Sequence, residues 1–132
     1  MDIYLPKWDA PNPRFQTLSK TTTFEDFLEG KPDSSLYELH DGVIVERQSI
    51  GEHEEINSFL GVEVTVEFKP LNLPYFIPKQ ALIKVPHRES AYSPDVLVIN
   101  QKNLSWEPLW KKSSIVTQAA SVPLVIEVIS TN

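Results

Sequence analysis

The spacing of apolar residues changes several times along the chain, and each change marks an element. Over residues 1–20 no period is visible. Pro6, Pro11 and Pro13 block helix and only Trp8, Phe15 and Leu18 offer anchors, so an extended lead is expected. Phe24, Phe27 and Leu28 then share one face of a short predicted helix. Thr22 and Glu25 stand at capping-box spacing before it, and Gly30 is its stop. Residues 36–40 and 43–47 flank Asp41-Gly42, a dipeptide that tolerates the positive φ angles of a tight turn, which predicts a β-hairpin.

Residues 52–68 carry two patterns. Ile56, Phe59, Leu60, Val64 and Phe68 form a helical stripe, whereas Val62, Val64 and Val66 alternate as in a strand. The length of the segment and its acidic opening (Glu52, Glu54, Glu55) favour helix. Past Pro70 and Pro74 the pattern becomes β. Ala81, Ile83 and Val85 alternate with Leu82 and Lys84, and residues 96–99 form a continuous buried-type strand entered through Pro94. Residues 100–121 read as a long polar loop with some local helix, and residues 124–130 as a last strand. There is no internal repeat. This order of hairpin, helix, strands, loop and strand predicts a single α+β or mixed α/β domain over 1–132.

Composition narrows the picture. The 132 residues suit one domain, and 41% hydrophobic against 23% charged residues is enough for a core. No apolar run approaches the roughly 18 residues of a membrane span. The N-terminus has acids and prolines where a secretory leader needs a basic start and an apolar stretch, so a cytoplasmic protein is expected. Cysteine is absent, which excludes disulfides, thiolate zinc sites and thiol nucleophiles. Twelve basic against eighteen acidic residues give a net charge of −6, so any contact with DNA needs a local basic patch or a bridging metal.

Two acids interrupt apolar strands. Asp95 stands at the mouth of Val96-Leu97-Val98-Ile99, and Glu127 is embedded in Leu124-Val125-Ile126-Glu127-Val128-Ile129. Converging at one end of a sheet, the two carboxylates would make an oxygen site for a hard cation such as Mg²⁺. The alternative is structural: Asp95 caps a turn and Glu127 points to solvent from an edge strand. The histidines, His40, His53 and His87, lack short metal spacing, no glycine loop could cradle a phosphate, and Ser130 lacks a nucleophile-elbow context. Trp106 and Trp110 could stack on bases, but the simpler reading makes them a cover for the core under the loop.

Four segments in order resemble a known family: Tyr37-Glu38-Leu39-His40-Asp41-Gly42, His53 at the start of a helix, Ser93-Pro94-Asp95-Val96, and Val125-Ile126-Glu127-Val128-Ile129-Ser130. Together they are similar to the Uma-two family of restriction-endonuclease-like proteins, expanded in cyanobacteria and part of the PD-(D/E)XK nuclease superfamily. The resemblance runs from about residue 36 to the end. It implies a restriction-endonuclease-like core, a helix packed on a central mixed sheet with an N-terminal hairpin. It also implies that Asp95 and Glu127 bind the divalent metal, Mg²⁺ or Mn²⁺, with Glu38 and His53 as further site residues. For Glu38 a solvent-facing strand position, and for His53 a capping or surface role, remain the alternatives.

Two departures stand out. Ile129 occupies the position two residues after the third-strand acid, where the superfamily places a lysine, and the family's closing helix would lie beyond Asn132. The expectations are accordingly two. One is a Mg²⁺-dependent endonuclease hydrolysing DNA. The other is a truncated, catalytically impaired nuclease fold serving as an interaction or assembly module. A homodimer is expected, without any membrane partner.

Overall fold

The computed structural model describes residues 21–30, 37–47 and 51–129. The expected extended lead over 1–20, Leu36 and Ser130 lie outside the described residues. The chain divides into two compact units, residues 1–48 with 82–92, and residues 49–81 with 93–132. The α+β expectation holds, with the hairpin and the long helix where the sequence predicts them. No described helix is long and apolar enough to cross a membrane.

In the first unit, α1 (Phe24–Gly30) is followed by β1 (Tyr37–His40), β2 (Val43–Glu46), β4 (Leu82–Lys84) and β5 (Ala91–Tyr92). These strands lie in the order β2-β1-β5-β4, and each neighbouring pair is antiparallel. Leu39 pairs with Ile44 on one side and Ala91 on the other, and all three are fully buried. Asp41 (φ 48°) and Gly42 (φ 85°) both take positive φ, the signature of the tight hairpin turn. Gly42 is required there: a Cβ would lie 2.3 Å from the Thr21 Cβ. The α1 cap sits one residue later than predicted. Thr23 Oγ1 accepts the Asp26 N–H at 3.1 Å. The Glu89 carboxylate takes the Phe24 N–H at 2.5 Å, a cap supplied from 65 residues away.

The second unit holds α2 (Gly51–Phe68), β3 (Tyr75–Phe76), β6 (Val96–Asn100), the 3₁₀ turn η1 (Gln101–Trp106), α3 (Trp110–Ser113), β7 (Ile115–Val116), the 3₁₀ turn η2 (Ala119–Ser121) and β8 (Leu124–Ile126). β6 lies between β3 and β8 and pairs antiparallel with both. Val96, Leu97, Val98 and Ile99 are all at most 4% exposed, so this strand is the unit's core. β8 is shorter than the apolar run predicts. It ends at Ile126, and residues 127–129 leave the ladder.

The 100–121 segment is more ordered than a plain loop, because Glu107 organises it. This carboxylate is 5% exposed. It accepts the Thr117 N–H at 2.7 Å, the Thr117 hydroxyl at 2.8 Å, the Gln118 N–H at 2.9 Å and the Ser121 hydroxyl at 2.5 Å. A buried charge so fully hydrogen-bonded offsets its desolvation and closes the segment on itself. Replacing it strands the donors. Glu107→Gln is therefore expected to destabilise the fold by about 1–3 kcal/mol, the cost of leaving buried donors unmatched. Thermal denaturation checks this, and a midpoint equal to wild type would remove Glu107 from its organising role.

Candidate active site

The register of β6 against β8 sets the geometry. Val96 pairs with Ile126, Leu97 with Val125 and Val98 with Leu124. One step beyond the last pair, Asp95 and Glu127 face each other across the strand ends. Both lie just past the last ladder pair, at the same end of the two strands. The chain binds them together. Glu127 Oε1 accepts the Asp95 backbone N–H at 2.9 Å, and Asp95 Oδ2 accepts the Val128 N–H at 2.7 Å. These bonds explain why β8 stops where it does: past Ile126, backbone-to-backbone pairing gives way to backbone-to-carboxylate pairing.

The N-terminal half of α2 supplies the other wall. His53 and Asn57 are four residues apart and so lie on one helix face. Asn57 Nδ2 donates to Asp95 Oδ1 at 3.2 Å, and His53 Nε2 lies 3.4 Å from Asp95 Oδ2. The Asp95 side chain is 5% exposed and that of His53 28%. Burial works to raise the Asp95 pKa. The Val128 N–H, the Asn57 amide, a side-chain hydrogen bond with Glu127 and the charge of His53 act the other way and hold it, on balance, below its ordinary value.

Asp95, Glu127 and His53 thus meet in one unit. Glu38 belongs to the other, on β1, where Oε1 lies 2.8 Å from His40 Nε2 and Oε2 3.7 Å from Arg47 Nε. Its side chain is 13% exposed, so it is not a solvent-facing strand residue. His40 also packs on Tyr92, ring centroids 4.9 Å apart. Sequence reasoning missed Asn57, whose one signal is its place a helical turn after His53. It also misjudged Trp106, which is 71% exposed, whereas Trp110 packs edge-on against Phe76 at 6.1 Å.

As a metal site the cluster has a definite character. Among the described residues there is no group of three or more His, Cys, Asp and Glu side chains that could hold a metal ion. The donors at hand are two carboxylates and, beside them, the Asn57 Oδ1, a buried amide oxygen without a hydrogen-bond partner. An all-oxygen set with few protein ligands fits Mg²⁺ or Mn²⁺, which keep several waters, and does not fit zinc. Ile129, where a lysine would extend the site, is 82% exposed and offers no charge.

The Asp95 environment also makes a prediction for pH. A carboxyl whose folded pKa lies below the unfolded value of about 3.9 contributes stability that is complete above that value. The contribution is lost as pH falls through the lower folded value. Urea unfolding at a series of acid pH values is expected to show Asp95→Asn with a shallower acid decline than wild type. Parallel declines would mean that the hydrogen bonds to Asp95 do not favour its ionised form.

Residues 23–132 match the model of the Uma2 family, described as "Putative restriction endonuclease". No curated protein matches the chain.

Proposed function

The chain belongs to the Uma2 family, and on that premise we propose that it is a divalent-metal-dependent endonuclease acting on DNA, with Asp95 and Glu127 as its metal ligands. The observation that carries the reading is the opposition of these two acids at the end of β6 and β8, with an unpartnered amide oxygen beside them. A bound Mg²⁺ would supply Lewis acidity, lowering the pKa of a coordinated water and neutralising charge on the phosphodiester. The protein's own share is preparation. Asp95 is kept ionised by the bonds from Val128 and Asn57. The Asp95 backbone N–H fixes the orientation of Glu127. His53 Nε2, beside Asp95 Oδ2 and itself buried without a hydrogen-bond partner, is a nitrogen that can donate to or accept from a water or phosphate oxygen.

One observation favours a second role. α2 is 18 residues long, yet only Phe68 on it is buried, and Phe59, Val62 and Val66 are each more than half exposed. Such a surface suits assembly, and we propose that the chain forms a homodimer.

The catalytic reading is tested with the purified chain and supercoiled plasmid in millimolar Mg²⁺ or Mn²⁺. Nicking is expected for wild type. Asp95→Ala and Glu127→Ala are each expected to lower it by at least about a hundredfold, because a metal's transition-state contribution is several kcal/mol. The same metals should raise the melting temperature of wild type but of neither variant. An unmoved wild-type melting curve together with nicking that survives both substitutions would leave the two acids with a structural role alone.

A further inference from the structure

The outer side of α2 has an order that its mere exposure does not require. The inner side carries His53, Asn57, Leu60, Val64 and Phe68, each half-buried or buried. Phe59 is 63%, Val62 58% and Val66 57% exposed on the opposite side. A helix apolar on both sides is one built to lie between two layers. Read one step further in each direction, the outer row is Glu55, Phe59, Val62, Val66 and Lys69. Its spacing of four, three, four and three is that of a coiled-coil seam. Lys69 stays on the helical path, since its N–H donates to the Thr65 carbonyl at 3.0 Å. All five residues are exposed.

The two ends of this row are opposite in charge and equidistant from its middle. Glu55 and Lys69 each stand seven residues from Val62, roughly 10.5 Å along the axis at 1.5 Å per residue. Parallel pairing of two such helices would set Glu55 against Glu55 and Lys69 against Lys69. Antiparallel pairing about a two-fold axis at Val62 sets each Glu55 level with the partner's Lys69, Phe59 beside the partner's Val66, and Val62 on its own counterpart. Such an interface is isologous, the commonest arrangement in homo-oligomers. On the flank, Ser58 and Thr65 are small enough for close approach, whereas Glu63 comes near its own counterpart and opposes it.

We propose that the outer face of α2 is a self-docking surface whose occupant is a second copy of this chain, antiparallel about Val62. The inference rests on the assembly reading above and names the surface and register that this reading leaves open. With few side chains on each side, the contact is far smaller than the roughly 800 Å² per partner of a standard interface, so the dimer is weak and separates on dilution.

The chain has no cysteine, so Val62→Cys introduces a single thiol on the two-fold axis, and Lys102→Cys, exposed elsewhere in the same unit, serves as control. Mild oxidation of the full chain is expected to link Val62→Cys into a disulfide dimer well beyond the control. In sedimentation equilibrium Glu55→Lys should weaken the dimer by about tenfold, two exposed ion pairs having turned repulsive. Adding Lys69→Glu to it should restore association, and Glu63→Gln should tighten it. A wild-type monomer at every concentration would overturn the assembly reading and the seam together. A wild-type dimer in which Val62→Cys links no better than Lys102→Cys, or in which the double variant fails to recover, would overturn the seam and leave assembly to another surface.

Discussion

The Asp95 carboxylate cannot be placed where it is without help, and the help it receives shapes the second unit. It sits at the entrance of β6, 5% exposed, beside four core residues at most 4% exposed. A charge in that position loses most of its hydration, and only charge-assisted hydrogen bonds recover the loss. They come from two directions, the Val128 N–H from the segment after β8 and the Asn57 amide from α2, while the His53 ring stands 3.4 Å away as a charge neighbour without a hydrogen bond. Meeting that demand ends β8 at Ile126, turns the next residues onto the carboxylate, and fixes which face of α2 looks inward. Removing Asp95 therefore does more than delete one proposed metal ligand, since it strands donors on both elements.

How legible this was in the sequence depends on the range of each interaction. The hairpin was readable because Asp41-Gly42 states its own backbone requirement, and the structure adds only that Thr21 leaves no room for a Cβ at Gly42. Helix over 51–68 was readable from length, the acidic opening and the apolar stripe, even though valines at 62, 64 and 66 argue for strand and Ile56 and Phe59 of that stripe are exposed. The end of β8 was not. The apolar run continues through Val128 and Ile129, and only the distant Asp95 tells the backbone to stop pairing. The Glu107 hub was invisible for a related reason, its partners lying 10 to 14 residues away in a segment of ordinary polarity. In the first unit, a cap from Glu89 cannot be seen from the three threonines that precede α1.

The two acids were legible in the sequence, but their surroundings were not. Each acid stands out because it interrupts apolar residues. For Asp95 the cost of burying a carboxylate makes that interruption informative. Glu127 is exposed beside the exposed Leu124, Val125 and Ile129, so there the apolar run misleads. The exact opposition of the two acids follows only from register, which no local pattern discloses. Asn57 was passed over because a single asparagine on a helix has no signature of its own. It acquires meaning from Asp95 Oδ1 at 3.2 Å.

Charge then sets the terms on which such a site could meet DNA. The chain carries a net charge of −6, and the two acids add their own field at the point where a phosphodiester would have to arrive. Superfamily-type relief by a lysine two residues past the third-strand acid is absent, since Ile129 stands there. Two carboxylates facing one phosphate repel it at close range, with weak screening where the site is partly buried. On the proposed function a divalent cation held by them would change the sign of that encounter, so its first contribution would be to association. If the proposed function holds, the chemistry and the binding of the scissile phosphate would depend on the same pair of side chains, and neither could be weakened without the other.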